Sequence, residues 1–180
     1  MPEPTIQAPL FTSQQIQRRV RELAQEIDRD YPPGERLHLV AVLNGAFMFL
    51  SDLVRAMTRP VSVDFIALSS YGAGMTSSGH VRMLKDISTN LQDRHVIIVE
   101  DIVDSGRTLA YLQKTLNDRS PKSLKTVCLL SRSSRRSVNV TVDYTGFEID
   151  DQFVVGYGLD VRDQFRSLPY IAALSSETDP

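Results

Sequence analysis

The chain has 180 residues, of which 42% are hydrophobic and 23% are charged. That length fits about one domain, and we expect a single globular domain over residues 1–180. Twenty basic residues against 22 acidic ones leave a net charge of −2, which gives no general attraction to nucleic acid. The single cysteine, Cys128, excludes an internal disulfide framework and a Cys-based zinc site. No apolar run approaches the ~20 residues of a membrane span, and the N-terminal residues do not resemble a signal peptide. These features predict a cytoplasmic protein.

The N-terminal part of the chain predicts a loose segment followed by a helix. Three prolines fall among the residues before Thr12. Thr12 and Gln15 have the spacing of a capping box, in which each side chain bonds to the other residue's backbone N–H. Apolar residues then recur at helical spacing, at Ile16, Val20, Leu23 and Ile27. The sequence Tyr31-Pro32-Pro33-Gly34 predicts the end of this helix.

The next elements predict strands that alternate with helices. Leu37–Leu43 is a nearly continuous apolar run, which is typical of a parallel strand buried on both faces. Further strands are predicted over residues 61–68, 95–99, 124–130, 138–142 and 153–155. Helices are predicted over residues 46–57 and 108–117. This alternation indicates an α/β fold with a mainly parallel sheet, in which ligands bind beyond the carboxyl ends of the strands.

Residues 69–80 interrupt this pattern. They contain three glycines and several hydroxyl residues without any hydrophobic period. A loop of this length in a compact domain is usually a lid or a binding loop. The alternative is the exposed tip of a β-hairpin.

An acidic and hydroxyl-rich sequence follows the strand at residues 95–99. Glu100, Asp101 and Asp104 come at the carboxyl edge of the sheet, where paired acids can bind a ribose diol or Mg²⁺. Residues 104–108 place backbone N–H groups and hydroxyls at the start of a helix, which predicts a phosphate site. Gly106 would let the backbone approach the anion closely. The simpler alternative is a polar loop that only caps the helix.

Residues 96–108 resemble the 5-phosphoribosyl-1-pyrophosphate (PRPP) motif of type I phosphoribosyltransferases. The resemblance includes Leu43-Asn44-Gly45, the sequence Ser69-Ser70-Tyr71-Gly72, and residues 147–166, which are similar to those of the members that salvage hypoxanthine and guanine. It implies the type I fold, with a mainly parallel sheet flanked by helices, a flexible lid loop and a small hood subdomain.

The resemblance also implies roles for the acidic sequence. Glu100 and Asp101 would meet the ribose hydroxyls and position Mg²⁺-PRPP, with Mg²⁺ as the cofactor. Asp104 would lie near N7 of the purine as the general acid/base. The 5′-phosphate would be held by Asp104 together with Ser105, Gly106, Arg107 and Thr108.

Pyrophosphate binding is implied for three separate parts of the chain. These are the turn at Leu43, Asn44 and Gly45, the start of the lid at Ser70 and Tyr71, and Arg166. Family members often have Lys or Arg where this chain has Asn44, so the resemblance supports a backbone role at that position and not a side-chain role.

The purine site is implied by four residues. Phe153 would stack on the base, and the Val154 backbone would contact its edge. Arg132 stands where the family usually has a Lys that donates to the 6-oxo group, and an Arg fork is not equivalent to an ammonium. Asp160 matches an acid beside the base that binds a second Mg²⁺ through water.

The implied activity is transfer of the phosphoribosyl group from PRPP to a 6-oxopurine, by a homodimer or homotetramer that binds neither nucleic acid nor membrane. One alternative is a related enzyme that prefers xanthine. The other is a nucleotide-sensing regulator with a PRPP-type fold that binds RNA, for which the basic cluster at residues 132–136 would be the contact surface.

Overall fold

The computed structural model describes residues 5–70 and 81–175, with Ser70 described by its backbone alone. The predicted lid residue Tyr71, and most of the predicted loop at 69–80, lie outside these residues. Ser69 and Ser70 belong to a strand, which corrects the loop prediction for these two residues. Within the described ranges, no helix is long and apolar enough to cross a membrane.

The described chain contains three α-helices. They are α1 (Ser13–Arg29), α2 (Phe47–Ala56) and α3 (Arg107–Asn117). The predicted capping box is present, since the Gln15 N–H donates to the Thr12 hydroxyl at 3.3 Å and the Thr12 N–H donates to Gln15 Oε1 at 2.8 Å. The capping box therefore fixes the start of α1 as the sequence predicts.

Nine strands are found in the same ranges. They are β1 (Ile6–Phe11), β2 (Leu37–Leu43), β3 (Val61–Ser70), β4 (Val81–Lys85), β5 (His95–Val103), β6 (Ser123–Ser131), β7 (Tyr144–Glu148), β8 (Val154–Val155) and β9 (Ile171–Leu174). Six of them form the main sheet, in the order β4-β3-β2-β5-β6-β7. All neighbouring pairs in it are parallel except β3 with β4. The predicted α/β fold with a mainly parallel sheet is confirmed.

Helices cover both faces of the main sheet. Alternate side chains of β2 enter different clusters, since Leu39 packs with α1 and α2 whereas Val40 packs with α3. Successive side chains of a strand point to opposite faces, so the continuous apolar run of β2 follows from burial on both sides. The main sheet is thus the middle layer of three.

Residues 6–11 of the segment predicted to be loose form a strand, which corrects the sequence-based prediction for the described part of that segment. β1 pairs with β9 in antiparallel fashion, and β9 also pairs with β8. These three strands form a second, smaller sheet at the carboxyl edge of the first. The local sequence could not show this, because the partner of β1 lies at the opposite end of the described chain.

The strand predicted over residues 138–142 is also wrong. Val140 and Val142 do pack against the α3 side of the core, which explains their apolar alternation. However, the Thr141 carbonyl accepts a hydrogen bond from Gln113 of α3 at 2.7 Å instead of one from a strand. The neighbour of β6 is β7 (Tyr144–Glu148), six residues further along.

Candidate active site

A cavity of about 280 Å³ lies beyond the carboxyl ends of β5 and β6. Its walls combine acidic, basic and aromatic side chains from both sheets. They are Asp101, Ile102, Asp104, Arg132, Phe153, Val154, Leu159 and Asp160. The structure therefore brings together six of the residues that the sequence predicts for the site, and it adds Ile102 and Leu159.

The predicted phosphate loop connects β5 to α3. Gly106 is the N-cap residue of α3 with φ +83°, and the Arg107 N–H donates to Ser105 Oγ at 3.4 Å. Residues 137 and 138 hold the loop in place, because the Ser105 carbonyl accepts hydrogen bonds from the backbone N–H of Ser137 at 3.0 Å and of Val138 at 3.4 Å. Arg107 and Thr108 are exposed at the helix start. This geometry is typical of an anion site at a helix N-terminus.

Glu100 and Asp101 differ in position although they are adjacent. Asp101 lines the cavity, whereas Glu100 is not part of its wall and is buried within the sheet. Burial and the neighbouring Asp101 raise the pKa of Glu100 well above its usual range. Burial also raises the pKa of Asp101 to about 6, although its Oδ1 accepts a hydrogen bond from the Ile102 N–H at 2.8 Å. Both acids thus lie where a cation would stabilise their ionised forms.

Asp104 forms an ion pair with Arg132 at the base of the cavity. Arg132 is only 4% exposed. Its Nη1 donates to Asp104 Oδ2 at 3.1 Å, and its Nη2 donates to the Gln152 carbonyl at 2.5 Å. The other oxygen, Asp104 Oδ1, is buried and has no hydrogen-bond partner among the described residues. A buried acceptor without a partner is costly, so this atom is a natural place for a ligand N–H.

Phe153 and Val154, two of the residues predicted to bind the purine, form another part of the cavity wall. Phe153 is 42% exposed although it is a large aromatic side chain, and it borders the cavity next to the buried Val154. The backbone carbonyl of Gln152 helps to hold Arg132 in place, a contact that no side-chain pattern could reveal. The cavity thus has a flat apolar face at Phe153 and hydrogen-bonding groups at Arg132 and Asp104.

The turn after β2 approaches this cavity from another side. The peptide between Leu43 and Asn44 is cis. A Cβ on Gly45 would lie 1.5 Å from Asp101 Oδ2, so only glycine allows the turn to approach that carboxylate. A neighbouring cavity of about 450 Å³ is lined by Leu43, Asn44 and Arg166 together with Phe47 and Phe65.

Arg166 and Asp160 connect the two cavities. Arg166 Nη2 lies 2.7 Å from Asp160 Oδ1, and Arg166 Nη1 donates to the Gly158 carbonyl at 2.7 Å. Asp160 Oδ2 accepts a hydrogen bond from the Asp163 N–H at 2.8 Å. Asp160 lines the smaller cavity and Arg166 lines the larger one, so this ion pair forms part of the boundary between them.

The basic cluster at residues 132–136 is not a continuous charged surface. Arg132 is buried, and Arg135 is paired with Asp151. Arg136 packs under the phosphate loop and donates to Ser131 Oγ at 3.2 Å. Arg132 and Arg136 therefore make internal contacts, whereas Arg135 is exposed and its charge is paired with the exposed Asp151.

Comparison with known proteins assigns the family. The phosphoribosyl transferase domain family matches residues 7–162. The chain belongs to the phosphoribosyltransferase family. Within that family it is 45% identical over 171 residues to the hypoxanthine-guanine phosphoribosyltransferase of Dictyostelium discoideum, covering 93% of this chain and 95% of the relative. It is also 45% identical over 174 residues to the enzyme of the same name from Mycobacterium tuberculosis, covering 94% of this chain and 86% of the relative.

Solved structures of phosphoribosyltransferases show the same architecture. A crystal structure of a hypoxanthine-guanine phosphoribosyltransferase from Bacillus anthracis superimposes with a TM-score of 0.90 at 44% identity, covering 95% of this chain and all of that one. A hypoxanthine phosphoribosyltransferase from Staphylococcus aureus gives a TM-score of 0.91 at 38% identity, covering 97% and 95%. The type I phosphoribosyltransferase fold predicted from the sequence is confirmed.

Proposed function

We propose that this chain transfers the 5-phosphoribosyl group of PRPP to N9 of hypoxanthine, and of guanine, to give the nucleotide and pyrophosphate in purine salvage. The observation that carries the proposal is the ion pair of Asp104 with Arg132, which lies in one cavity between the phosphate loop and the exposed ring of Phe153. The names of the similar proteins support the same activity. The whole of residues 1–180 would act as one domain.

The purine would bind with its ring against Phe153 and its polar edge toward the ion pair. Stacking on an aromatic face accepts any purine, so the choice of base depends on hydrogen bonds. The Arg132 guanidinium would donate to a 6-oxo oxygen, and the Val154 backbone would contact the other edge. A 6-amino group is a donor and would face this guanidinium without an acceptor, so adenine should be a poor substrate.

The other substrate would extend from the phosphate loop to the turn after β2. The 5′-phosphate would accept hydrogen bonds from Ser105, Gly106, Arg107 and Thr108, and charge-assisted bonds of this kind contribute ~1.5–3 kcal/mol each. Pyrophosphate would lie near Gly45 and Arg166. The side chain of Asn44 carries no charge, so it would add little to pyrophosphate binding. Ser70 at the end of β3 and Tyr71 of the predicted lid would also contact pyrophosphate.

The acidic residues fit Mg²⁺. Burial raises the pKa of Glu100 and of Asp101 because it destabilises their ionised forms. A bound divalent cation would stabilise these ionised forms. Among residues 5–70 and 81–175 no three such ligands cluster closely enough to hold a metal without substrate. Mg²⁺ usually binds through one or two carboxylates together with substrate phosphates and water. Asp101, supported by Glu100, would hold one Mg²⁺ together with PRPP, and Asp160 would hold a second Mg²⁺. The metal would stabilise the negative charge on pyrophosphate.

The chemistry follows from this arrangement. N9 of the purine attacks C1′ with inversion as the bond from C1′ to the pyrophosphate oxygen breaks. The proton on N7 passes to the Asp104 carboxylate, whose unpartnered Oδ1 is available to accept it. Arg132 holds that carboxylate in place through Oδ2. Arg166 would contribute positive charge beside the departing pyrophosphate.

A purine panel tests the proposal. Purified protein is supplied with PRPP, Mg²⁺ and hypoxanthine, guanine, xanthine or adenine, and nucleotide formation is followed. We expect turnover with hypoxanthine and guanine, none with adenine, and loss of activity in EDTA. A clear preference for xanthine would instead support the alternative substrate, and no nucleotide from any purine would contradict the proposed function.

Quaternary structure and location are part of the same proposal. Large apolar side chains are exposed on the paired strands β3 and β4, at Val63 and Leu84, and they support a homodimer or homotetramer. Light scattering of the purified protein would measure its mass in solution. The cytoplasmic location stays a prediction.

A further inference from the structure

The segment Gly156-Tyr157-Gly158 connects two parts of the proposed site. One is the cavity wall at Phe153 and Val154, which we call the purine wall, and the other is the proposed pyrophosphate site at Gly45 and Arg166. The segment follows β8, which carries Val154, and it precedes Leu159 and Asp160 of the cavity wall. Tyr157 has φ 51° and is 7% exposed, with its ring packed in the core cluster that contains α2. The backbone N–H of Tyr157 donates to the Leu168 carbonyl at 2.9 Å. The segment is therefore held firmly at both its backbone and its ring.

Its hydroxyl forms a long-range contact with α2. Tyr157 Oη donates to Asp52 Oδ2 at 2.6 Å. The other oxygen of Asp52 is paired with Arg55. Because α2 begins at Phe47, two residues after Gly45, Asp52 belongs to the helix that extends directly from the proposed pyrophosphate turn. Tyr157 and Asp52 thus link two elements that carry different parts of the site.

The same two elements also touch through their backbones. Gly158 has φ +102°, and a Cβ there would lie 2.1 Å from the Gly45 carbonyl oxygen. The Gly158 N–H donates to the Arg166 carbonyl at 3.0 Å, and its own carbonyl accepts from Arg166 Nη1. The spacing between Gly45 and the segment is therefore as tight as van der Waals contact allows. A small displacement of either element would move Gly45, Asp160 and Arg166 relative to one another.

We propose that Tyr157 and Asp52 are positioning residues that hold the purine wall in register with the turn at Gly45. This inference rests on the proposed function, in which N9 of the purine must meet C1′ of PRPP. Reacting atoms need to be about 3–3.5 Å apart, and a 1 Å misplacement can cost 10²-fold in rate. The Tyr157 hydroxyl does not line the cavity, so it acts through the segment that it anchors and not on the substrates.

The chain offers a closely matched control. Tyr144 of β7 is 6% exposed, and its Oη donates to Asp30 Oδ2 at 2.6 Å. Asp30 is paired with Lys125 at 2.8 Å, as Asp52 is paired with Arg55. Tyr144→Phe and Tyr157→Phe therefore each remove a hydroxyl that donates from a buried ring to a carboxylate already paired with a cation. The Tyr144 hydroxyl also accepts a hydrogen bond from Lys125 Nζ at 3.0 Å, so its removal deletes one contact more. Only Tyr157 is connected to the site.

The experiment compares four single variants with the wild type. They are Tyr157→Phe, Asp52→Ala, Asp52→Asn and Tyr144→Phe. Steady-state kinetics give kcat and KM for PRPP and for hypoxanthine, calorimetry gives the affinity for PRPP alone, and thermal unfolding gives the stability. Calorimetry does not depend on turnover, so it reports on the PRPP site even in a slow variant.

We expect both Tyr157→Phe and Tyr144→Phe to lower the Tm, and Tyr144→Phe at least as much as Tyr157→Phe because it also loses the bond from Lys125. Only Tyr157→Phe should lower kcat/KM for PRPP, by about tenfold to 10²-fold, and weaken PRPP binding. Asp52→Ala should match Tyr157→Phe. Asp52→Asn keeps an oxygen that can accept the hydroxyl bond, so it should restore most of the activity.

Two results would overturn the inference. One is a Tyr157→Phe enzyme whose kcat/KM for PRPP equals that of Tyr144→Phe, since the bond would then be structural only. The other is an Asp52→Asn variant as impaired as Asp52→Ala. A wild-type protein that makes no nucleotide from any purine would reject the proposed function and this inference together, whereas an active wild type with either of the first two results would reject the positioning role alone.

Discussion

Gly45→Ala tests the contact between the turn after β2 and the acidic end of β5. The added Cβ would lie 1.5 Å from Asp101 Oδ2 and 2.4 Å from Asp101 Cγ. The carboxylate would have to move, and it would then lose the hydrogen bond from the Ile102 N–H at 2.8 Å. A hydrogen bond to a charged group is worth about 1.5–3 kcal/mol. Alanine also reduces the entropy of the unfolded chain, which stabilises by about 0.4–1 kcal/mol where φ is compatible, and Gly45 does not have a positive φ.

The net expectation is a loss of about 1–2 kcal/mol in the free energy of unfolding. In an Asp101→Ala background the obstructing carboxylate is absent, so Gly45→Ala should be neutral or stabilising. Asp101→Asn keeps the shape of the side chain and should keep the penalty, which separates the steric effect from charge. Urea denaturation of the ligand-free variants measures each free energy. If Gly45→Ala had the same effect in the wild-type and Asp101→Ala backgrounds within about 0.5 kcal/mol, the reasoning would be refuted.

Three further predictions concern the proton, the pH and the capping box. Asp104→Asn keeps an acceptor for Arg132 and should lower kcat by ~10²–10⁴-fold with little change in PRPP affinity by calorimetry; an unchanged kcat would remove Asp104 from proton transfer. Because folding raises the pKa of Asp101 from 3.8 to about 6, its contribution to the stability of the ligand-free protein is present at low pH and is lost as the pH rises through 6. Between pH 3.8 and about 6, the free energy of unfolding of the wild type should therefore fall relative to that of Asp101→Asn in urea titrations. A difference between the two proteins that does not change with pH would contradict the raised pKa. Thr12→Ala should cost about 1 kcal/mol of stability and Thr12→Ser much less, as measured by thermal unfolding; equal losses would mean that the hydroxyl does not cap α1.

Elements whose signal is local could be predicted from the sequence. The bounds of β2 follow from its apolar run, and the start of α1 follows from the capping box of Thr12 with Gln15. The helices α2 and α3 begin within a residue of their predicted positions. In each case the sequence pattern that predicts the element lies within the element itself or at its first residues.

The errors occurred where a distant partner determines the structure. β1 exists because β9 pairs with it, and β1 has no strong pattern of its own. The valines at residues 138–142 alternate as in a strand, yet they lie beside α3 and not at a free sheet edge. Apolar alternation reports which side chains are buried, and it does not report what the backbone pairs with.

The site was predictable in its residue types but not in its contacts. The acids at the carboxyl end of β5 and the aromatic Phe153 could be identified from the sequence and from the family resemblance. The bond of Arg132 to the Gln152 carbonyl depends on how the second sheet packs on the first. Glu100 is buried away from the cavity because it lies in β5 beside Asp101, and successive side chains of a strand point to opposite faces. Backbone groups carry no residue-type signal, so contacts of this kind appear only in three dimensions.

The candidate site is divided between the two sheets. Phe153 and Val154 belong to the small sheet and the residue before it, whereas Asp101 and the phosphate loop belong to the main sheet and Arg132 follows its strand β6. Under the proposed function, a substitution in the small sheet would change the surface on which the base stacks and leave the residues for the sugar phosphate in place. A change of base that requires different hydrogen bonds would also need a substitution at Arg132, so a new base preference on this common fold would involve both sheets.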